Sequence, residues 1–248
     1  MTGFPADYYR SIREVEDRHW WHVGMRELAA ALLGERLRGR LLDAGCGTGG
    51  FLAWAAGVGR LETLAGIDVS EEAVELARAR LPGTDLRVAP IGSLPFDAGS
   101  FDVAAANDVL QHLGETELAE ALAELHRVLR PGGTLLVRTN GALSGRRAAA
   151  DWQLFDRRSL ASVLHAAGFR CERLTHANLL GSALAALAGH SPQPPTGTWH
   201  GIPKPPPRLA GAVGLASLRL EALHLARPGR TLPFGHTLFA VARREVAP

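Results

Sequence analysis

A glycine-rich loop with an acid two positions before its first glycine is the part of this sequence best suited to chemistry. The loop reads Leu41-Leu42-Asp43-Ala44-Gly45-Cys46-Gly47-Thr48-Gly49-Gly50. Gly45, Gly47 and Gly50 satisfy the spacing G-x-G-x-x-G, which binds dinucleotides when it joins a strand to a helix. Glycines at such a junction let a ligand approach the backbone closely, so the loop predicts a nucleotide-like cofactor.

Two carboxylates restrict which cofactor the loop can accept. Asp43 would face the ligand, where it repels a pyrophosphate and attracts a cationic amine by roughly 4 kcal/mol at about 4 Å and an effective dielectric near 20. Asp68 ends the next predicted strand, where an acid accepts both ribose hydroxyls in doubly wound nucleotide sites. Together the two acids predict a nucleoside that carries an amino acid.

The elements that position these acids follow a βαβ pattern. From Leu41 onward, short apolar runs alternate with helical periodicity, which is typical of a parallel sheet. We predict strands at 40–44, 63–68, 86–89, 101–106 and 134–139, and helices at 49–57, 70–81 and 115–129. Ser70, followed by Glu71 and Glu72, is a strong helix start. Pro131-Gly132-Gly133 is expected to end the third helix and lead into the fifth strand.

The alternation becomes less regular toward the end of the chain. A helix at 156–167, a strand at 169–175, an apolar helix at 179–187, a helix at 208–225 and a closing strand at 236–243 are predicted. The segment 192–207 contains seven prolines, so we expect it to be extended or irregular.

Six segments resemble, in order, the motifs of a known family. They are Asp43-Ala44-Gly45-Cys46-Gly47-Thr48-Gly49, Ile67-Asp68-Val69-Ser70, Leu94-Pro95-Phe96, Ser100-Phe101-Asp102-Val103, Val109-Leu110-Gln111-His112-Leu113 and Leu129-Arg130-Pro131-Gly132-Gly133. These look like the motifs of class I S-adenosylmethionine-dependent methyltransferases, in the small-molecule and ubiquinone-biosynthesis branch called type 11. The resemblance covers about residues 40–140.

The resemblance implies a fold, a cofactor and a reaction. The fold would be α/β, a doubly wound Rossmann-like sheet of seven strands, mostly parallel, with an antiparallel last strand and a helical insertion before it. The cofactor would be S-adenosyl-L-methionine, and the reaction methyl transfer to a small-molecule acceptor. Whether oxygen, nitrogen or carbon is methylated is left open.

The resemblance also assigns residues to parts of the cofactor. Gly45, Cys46 and Gly47 would contact the methionine part, and Asp68, with Val69 beside it, the ribose. Ile91 and Gly92 would lie along the adenine, and Asn107 and Asp108 would line the methionine end. Relatives often place an acid after the third strand for the adenine amino group, but Pro90 stands at the nearest position here.

The segment 16–26 resembles the amino-terminal helical region that folds over the cofactor in such enzymes. Arg26 would meet the cofactor carboxylate. Trp20, Trp21 and His22 are candidate substrate contacts at the edge of the site. The alternative is that the tryptophan pair packs this helix onto the core.

A general base is needed only if the acceptor must lose a proton. His112 is the catalytic candidate, because its position is commonly histidine in relatives. The alternative is that it caps or packs the following helix. His19, His22 and His176 are weaker candidates. No metal site is expected.

We expect one methyltransferase domain over residues 1–248. Its parts would be a helical lid (1–39), a cofactor-binding core (40–176), an insertion that caps the substrate (177–235), and a closing strand and tail (236–248). The apolar helices of the insertion would roof an acceptor, form a dimer face, rest on a membrane surface, or simply pack. Arg208, Arg219, Arg227 and Arg230 would permit weak peripheral membrane contact.

Composition limits the partners. A net charge of +2 with scattered basic residues gives no nucleic-acid footprint. The longest mostly apolar stretch, 177–188, is shorter than the roughly 20 residues that span a bilayer. Cys46 lies in the glycine loop, far from Cys171, so we expect reduced thiols and a cytoplasmic protein. Monomer and homodimer both stay open.

Two alternatives remain at this level. The glycine loop is shared with nicotinamide-dependent oxidoreductases. A protein that binds the cofactor without transferring methyl, as a scaffold or a cyclase, would also fit, because no base is firmly assigned.

Overall fold

The computed structural model describes residues 4–58, 60–141, 153–187 and 208–245. The helices are α1 (Ala6–Val15), α2 (Trp20–Leu33), α3 (Gly50–Val58), α4 (Glu71–Arg80), α5 (Glu115–Val128), α6 (Arg157–Ala166), α7 (Leu179–Leu187) and α8 (Arg208–Leu225). The strands are β1 (Arg38–Ala44), β2 (Arg60–Asp68), β3 (Asp85–Val88), β4 (Phe101–Asn107), β5 (Leu129–Asn140), β6 (Phe169–Ala177) and β7 (Thr237–Arg244).

These strands form one seven-stranded sheet in the order β3-β2-β1-β4-β5-β7-β6. Strands β1 to β5 pair in parallel, whereas β7 is antiparallel to both of its neighbours. The expected doubly wound fold is therefore confirmed. Because the strand order reverses between β1 and β4, the carboxyl ends of these two strands flank the crevice where such sheets bind ligands.

Helices cover both faces of the sheet and enclose two apolar clusters. Adjacent residues on a strand contribute to different clusters: Leu41 belongs to one, and Leu42 to the other. This division follows from the two-residue repeat of a strand, whose successive side chains point to opposite faces. Leu41 and Leu42 are both fully buried, so β1 is a rigid support for the loop that follows its carboxyl end.

Two local expectations have different outcomes. The Ser70 cap is confirmed, since its hydroxyl accepts the N–H of Ala73 at 3.3 Å. The boundary between the helix and the strand near Pro131 was wrong: Leu129 already leaves the helix, with ψ 140°, and begins β5. Arg130 precedes a proline, which disfavours helical backbone there, so the chain becomes extended earlier than predicted.

The carboxyl-terminal part places α7 and α8 between β6 and β7. Helix α8 matches its predicted bounds and packs along α2. The proline-rich segment 192–207 lies outside the described residues. Within the described ranges, no helix is both long enough and apolar enough to cross a membrane.

Candidate cofactor site

The glycine loop follows β1 at the point where the strand order reverses. Gly45 has φ +93°, and a side chain there would collide with Val109. The N–H groups of Gly45 and Cys46 both donate to the carbonyl of Ile67 at 2.8 Å, which fixes the loop beside β2. Gly47 has φ +51°, and no described heavy atom lies within 4 Å of the position its Cβ would take. The loop is therefore firmly held and leaves open space above Gly47.

Asp43 is buried beneath this loop, with 2% of its surface exposed. Burial raises the pKa of its carboxyl to about 8, an effect that the Arg138 charge and the nearby Asn107 amide partly oppose. Its Oδ1 atom and both polar atoms of Asn107 form no well-directed hydrogen bond within the described chain. Unpartnered buried polar atoms are rare, so this pair indicates a ligand group between the ends of β1 and β4.

Asp68 ends β2 and is bound to the loop. Its Oδ2 accepts the N–H of Gly47 at 2.9 Å, and its Oδ1 accepts the N–H of Ser70 at 3.0 Å. Burial raises the pKa of this carboxyl, and the backbone donors oppose the rise. A carboxylate oxygen has two lone pairs, so each oxygen can still accept one further hydroxyl.

Helix α1 brings aromatic side chains to these acids, a feature that the sequence interpretation missed. Burial raises the pKa of both Tyr8 and Tyr9 to about 12, and Asp68 adds to the rise for each tyrosine. Asp108 acts on Tyr8 as well. The aromatic doublet that begins an amphipathic helix was the available signal, but only the structure shows that it lies over the site.

The junction of α1 and α2 is fastened to the glycine loop by charged groups. Glu16 accepts from the Thr48 hydroxyl and pairs with Arg80, which also pairs with Asp17. Arg26 donates to the carbonyl of Glu16 at 2.8 Å and to that of Gly50 at 3.4 Å. The Arg26 Nε atom is buried with no described partner. Arg26 therefore lies beside the end of the glycine loop, and its contact with the cofactor carboxylate stays a prediction.

The tryptophan pair is split between two environments. Trp20 packs on α8 so closely that a Cβ on Gly214 would lie 2.7 Å from its ring. Trp21 instead faces Arg138, whose guanidinium carbon is 5.0 Å from its ring centre. Successive residues of a helix point about 100° apart, which explains the split. The packing of Trp20 agrees with the alternative in which the tryptophans attach this helix to the rest of the protein. Substrate contact by Trp21 and His22 stays a prediction.

The candidate histidines are also separated. His112 lies in a short 3-10 turn after β4, with its ring 5.5 Å from that of Phe4. Burial lowers the pKa of His112, and Asp108 opposes this. Burial and the Arg138 charge lower the pKa of His22 to about 3. His176 is buried against the Gly235 carbonyl at 3.0 Å, in a structural position.

The remaining predicted contacts follow the carboxyl ends of β2, β3 and β4. Ile91 is buried in the core and Gly92 is half-buried beside Glu120, while Val69 is half-exposed after β2. Asp108 has φ +58° and pairs with Arg138 at 2.6 Å. In the described ranges, no group of three or more histidine, cysteine, aspartate or glutamate side chains is placed to hold a metal ion.

Comparisons with known proteins show which family this chain resembles. Residues 42–137 match the family described as "Methyltransferase domain". The chain is 33% identical over 178 residues, 69% of its length, to 67% of a Mycolicibacterium smegmatis protein named "Probable S-adenosylmethionine-dependent methyltransferase". It is 35% identical to a malonyl-[acyl-carrier protein] O-methyltransferase of Salmonella typhimurium, over 57% of this chain and 56% of that protein.

A solved structure extends the likeness to nearly the whole fold. A chain from the complex between the Haloferax volcanii Trm112 methyltransferase activator and a methyltransferase aligns with a TM-score of 0.63 at 19% identity, covering 97% of each chain.

The chain therefore belongs to the class I S-adenosylmethionine-dependent methyltransferases, in the type 11 branch, and its cofactor is S-adenosylmethionine. It spans about half the length of several of the curated relatives that it matches. Family membership decides against the nicotinamide-dependent oxidoreductase that the glycine loop left open. The unpartnered Asp43, Asn107 and Arg26 atoms and the open space above Gly47 fit a cofactor with an amino-acid end.

Proposed function

We propose that this chain transfers a methyl group from S-adenosylmethionine to a small-molecule acceptor at the carboxyl ends of β1, β4 and β5. The observation that carries this proposal is the buried Asp43 Oδ1, left without a well-directed partner among the described residues beside Asn107. A cationic amino group satisfies the two acceptor atoms, because it can donate both to the Asp43 carboxylate and to the Asn107 amide oxygen.

The other cofactor contacts follow from this placement. Asp43, Asn107 and the loop Gly45-Cys46-Gly47 hold the amino-acid end, and Arg26 receives its carboxylate. Asp68 accepts the ribose hydroxyls with Val69 beside it, while Ile91 and Gly92 flank the adenine. Asp108, fixed by Arg138, borders the reacting end.

The chemistry requires alignment more than an invariant nucleophile. When bound, S-adenosylmethionine supplies an activated methyl group on a sulfonium centre. The protein contributes orientation and water exclusion, for which intramolecular precedents supply roughly 7 to 11 kcal/mol. Tyr8 and Tyr9 lie near the acids from α1. Trp21 faces Arg138, and Phe4 packs against the rings of Tyr8 and His112. These aromatic side chains favour an acceptor with an apolar body.

His112 is proposed as the general base for acceptors that must lose a proton. Its lowered pKa keeps the ring neutral, and therefore able to accept a proton, at physiological pH. Residues 1–39 would act as the lid, 40–176 as the cofactor-binding core, 177–235 as the insertion and 236–248 as the closing strand and tail.

Calorimetric titration of the full chain with S-adenosylhomocysteine and with NADH tests the cofactor site. We expect S-adenosylhomocysteine alone to bind, and Asp68→Ala to weaken its binding strongly. Asp102→Asn is the matched control, because Asp102 lies on β4 near its amino end and pairs with Arg130. Unchanged affinity in Asp68→Ala would contradict the ribose assignment.

Methyl transfer itself is tested with methyl-labelled cofactor and a panel of hydroxyl, amine and carbon acceptors with apolar bodies. Labelled product is expected with at least one acceptor class. Tight cofactor binding without product across the panel would instead favour the non-methylating scaffold or cyclase.

A further inference from the structure

Helix α8 carries an apolar face that points away from the protein. Leu209, Val213, Leu220 and Leu223 are spaced by four, seven and three residues, which places them on one side of a helix. Their exposed fractions are 78, 50, 68 and 69%, respectively. The face extends about 21 Å along the axis at 1.5 Å per residue. A contiguous apolar strip of this kind marks an interaction surface more often than scattered exposed leucines do.

The opposite side of α8 is anchored, so the helix cannot roll its leucines inward. Leu218 is fully buried against Gly24, where any side chain would collide with it. Arg219 pairs with Glu27 on α2 at 2.9 Å. Glu221 accepts the N–H groups of Asn178 and Leu179 at 2.7 and 2.8 Å and thereby caps the start of α7.

The unpaired charges of α8 and of the turn that follows it are of one sign. Glu221 is the only acid of α8, and it is turned inward as the cap of α7. Arg208 lies at one end of the face, and Arg227 and Arg230 lie just beyond the other. All three are exposed, and none pairs with a carboxylate within the described part of the chain.

We propose that this outer face of α8 docks on the surface of an anionic lipid bilayer. The leucines would enter the boundary of the acyl chains while Arg208, Arg227 and Arg230 meet lipid phosphates, as in interfacial amphipathic helices. A second copy of the chain fits less well. Two such faces brought together would place arginines near arginines with no α8 carboxylate between them.

Cosedimentation of the full chain with vesicles tests this proposal without any use of catalysis. One set of vesicles contains phosphatidylcholine alone, and the other contains about one third phosphatidylglycerol. We expect binding to the anionic vesicles that weakens as salt is raised, because exposed charges are screened. The double variant Leu220→Glu, Leu223→Glu should lower the partition coefficient by roughly tenfold or more.

Two further variants make the result specific. Val58→Glu introduces one glutamate, half the added charge of the double variant, at another exposed apolar position at the end of α3, and should bind vesicles like the unaltered chain. The triple variant Arg208→Gln, Arg227→Gln, Arg230→Gln should lose the preference for anionic vesicles. Unchanged binding of S-adenosylhomocysteine shows that each variant is folded.

Two results would overturn the proposal. One is vesicle binding of the unaltered chain no greater to anionic than to neutral lipid. The other is equal binding by the Leu220→Glu, Leu223→Glu variant. If the unaltered chain instead dimerises without lipid in sedimentation velocity, and this double variant abolishes the dimer, the face belongs to a second copy.

Discussion

Arg138 and Asp108 are joined through both their side chains and their backbones. Arg138 Nε and Nη2 donate to Oδ2 of Asp108 at 3.1 and 2.6 Å, and the Asp108 N–H donates to the Arg138 carbonyl at 2.8 Å. Asp108 has φ +58°, a left-handed conformation that non-glycine residues adopt at some cost. The arginine of β5 therefore holds the end of β4 in a specific shape at the edge of the cofactor site.

Replacing this arginine should disturb the site without unfolding the sheet. We expect Arg138→Met to lower kcat/KM by roughly tenfold or more, because a loss of about 1.4 kcal/mol in positioning already has that effect. The same change should raise the pKa of His22, which the Arg138 charge helps to hold near 3. Steady-state kinetics and an NMR titration of His22 measure the two effects.

Arg130→Met is the matched control for Arg138→Met. Arg130 also pairs with an aspartate of β4, Asp102, at 2.8 Å, but its side chain is half exposed and lies away from His22 and Trp21. Arg130→Met should leave kcat/KM and the pKa of His22 unchanged. An Arg138→Met enzyme with normal kinetics and an unmoved His22 pKa would remove the positioning role.

We expect Asp43 to lower the free energy of unfolding of the protein while it contributes to cofactor binding. Its folded-state pKa of about 8 lies well above the ordinary value near 3.9, so its contribution to stability is greatest at low pH and is lost as pH rises toward 8. Asp43→Asn removes that loss. We expect the variant to be more stable than the unaltered protein at pH 8, on the order of a few kcal/mol, with the difference shrinking toward pH 4.

The same substitution should weaken cofactor binding, because an amide cannot pair with a cationic amine as a carboxylate does. Chemical denaturation at several pH values and titration with S-adenosylhomocysteine measure the two properties. Asp102→Asn serves as the control for both. A variant that loses stability at pH 8, or that binds S-adenosylhomocysteine unchanged, would be incompatible with Asp43 as the buried amine-binding group.

The sequence predicted the central part of this fold because its signals are local. The strands around Leu41 and Val103 are short apolar runs between helical segments, and Ser70 with two acids marks a helix start that the structure confirms. The predicted bounds of α8 are reproduced from Arg208 to Leu225. Such patterns depend on neighbours along the chain, so they are readable without knowledge of distant contacts.

The features that the sequence missed depend on contacts between distant residues. Tyr8 approaches Asp68 and Asp108, and Glu16 approaches Arg80 and Thr48, only after α1 has folded back over the sheet. The pairing of Arg138 with Asp108 depends on the register between β4 and β5, which the sequence does not show. None of these pairings produces a periodic pattern in the sequence, because each depends on how whole helices and strands pack together.

Glu16 and Arg80 should act as a latch between the lid and the glycine loop. Both side chains are nearly buried, and removing one partner of a buried pair typically costs 3–5 kcal/mol. We expect Glu16→Gln to lower the free energy of unfolding and to weaken S-adenosylhomocysteine binding, because the acceptor that the Thr48 hydroxyl and Arg80 share loses its negative charge. Denaturation and calorimetry measure these changes.

The exposed pair of Arg10 and Glu72 provides the comparison for the latch. It joins α1 to α4 at 2.7 Å, but most of the Arg10 side chain is in solvent. Arg10→Gln should therefore have little effect on stability or on binding. If Arg10→Gln weakens cofactor binding as much as Glu16→Gln, simple loss of α1 docking rather than a specific latch is responsible.

His112 should matter only when the acceptor loses a proton. For a hydroxyl acceptor we expect His112→Gln to lower kcat by about a hundredfold or more, the usual contribution of a positioned base, with S-adenosylhomocysteine affinity unchanged. His165→Gln, on the exposed face of α6, is the control. Because burial lowers the pKa of His112, the acidic fall in activity of the unaltered enzyme should lie below pH 6.5 and should be absent from the variant. An acidic limb that persists in His112→Gln, with kcat preserved, would assign the residue to packing against Phe4 instead.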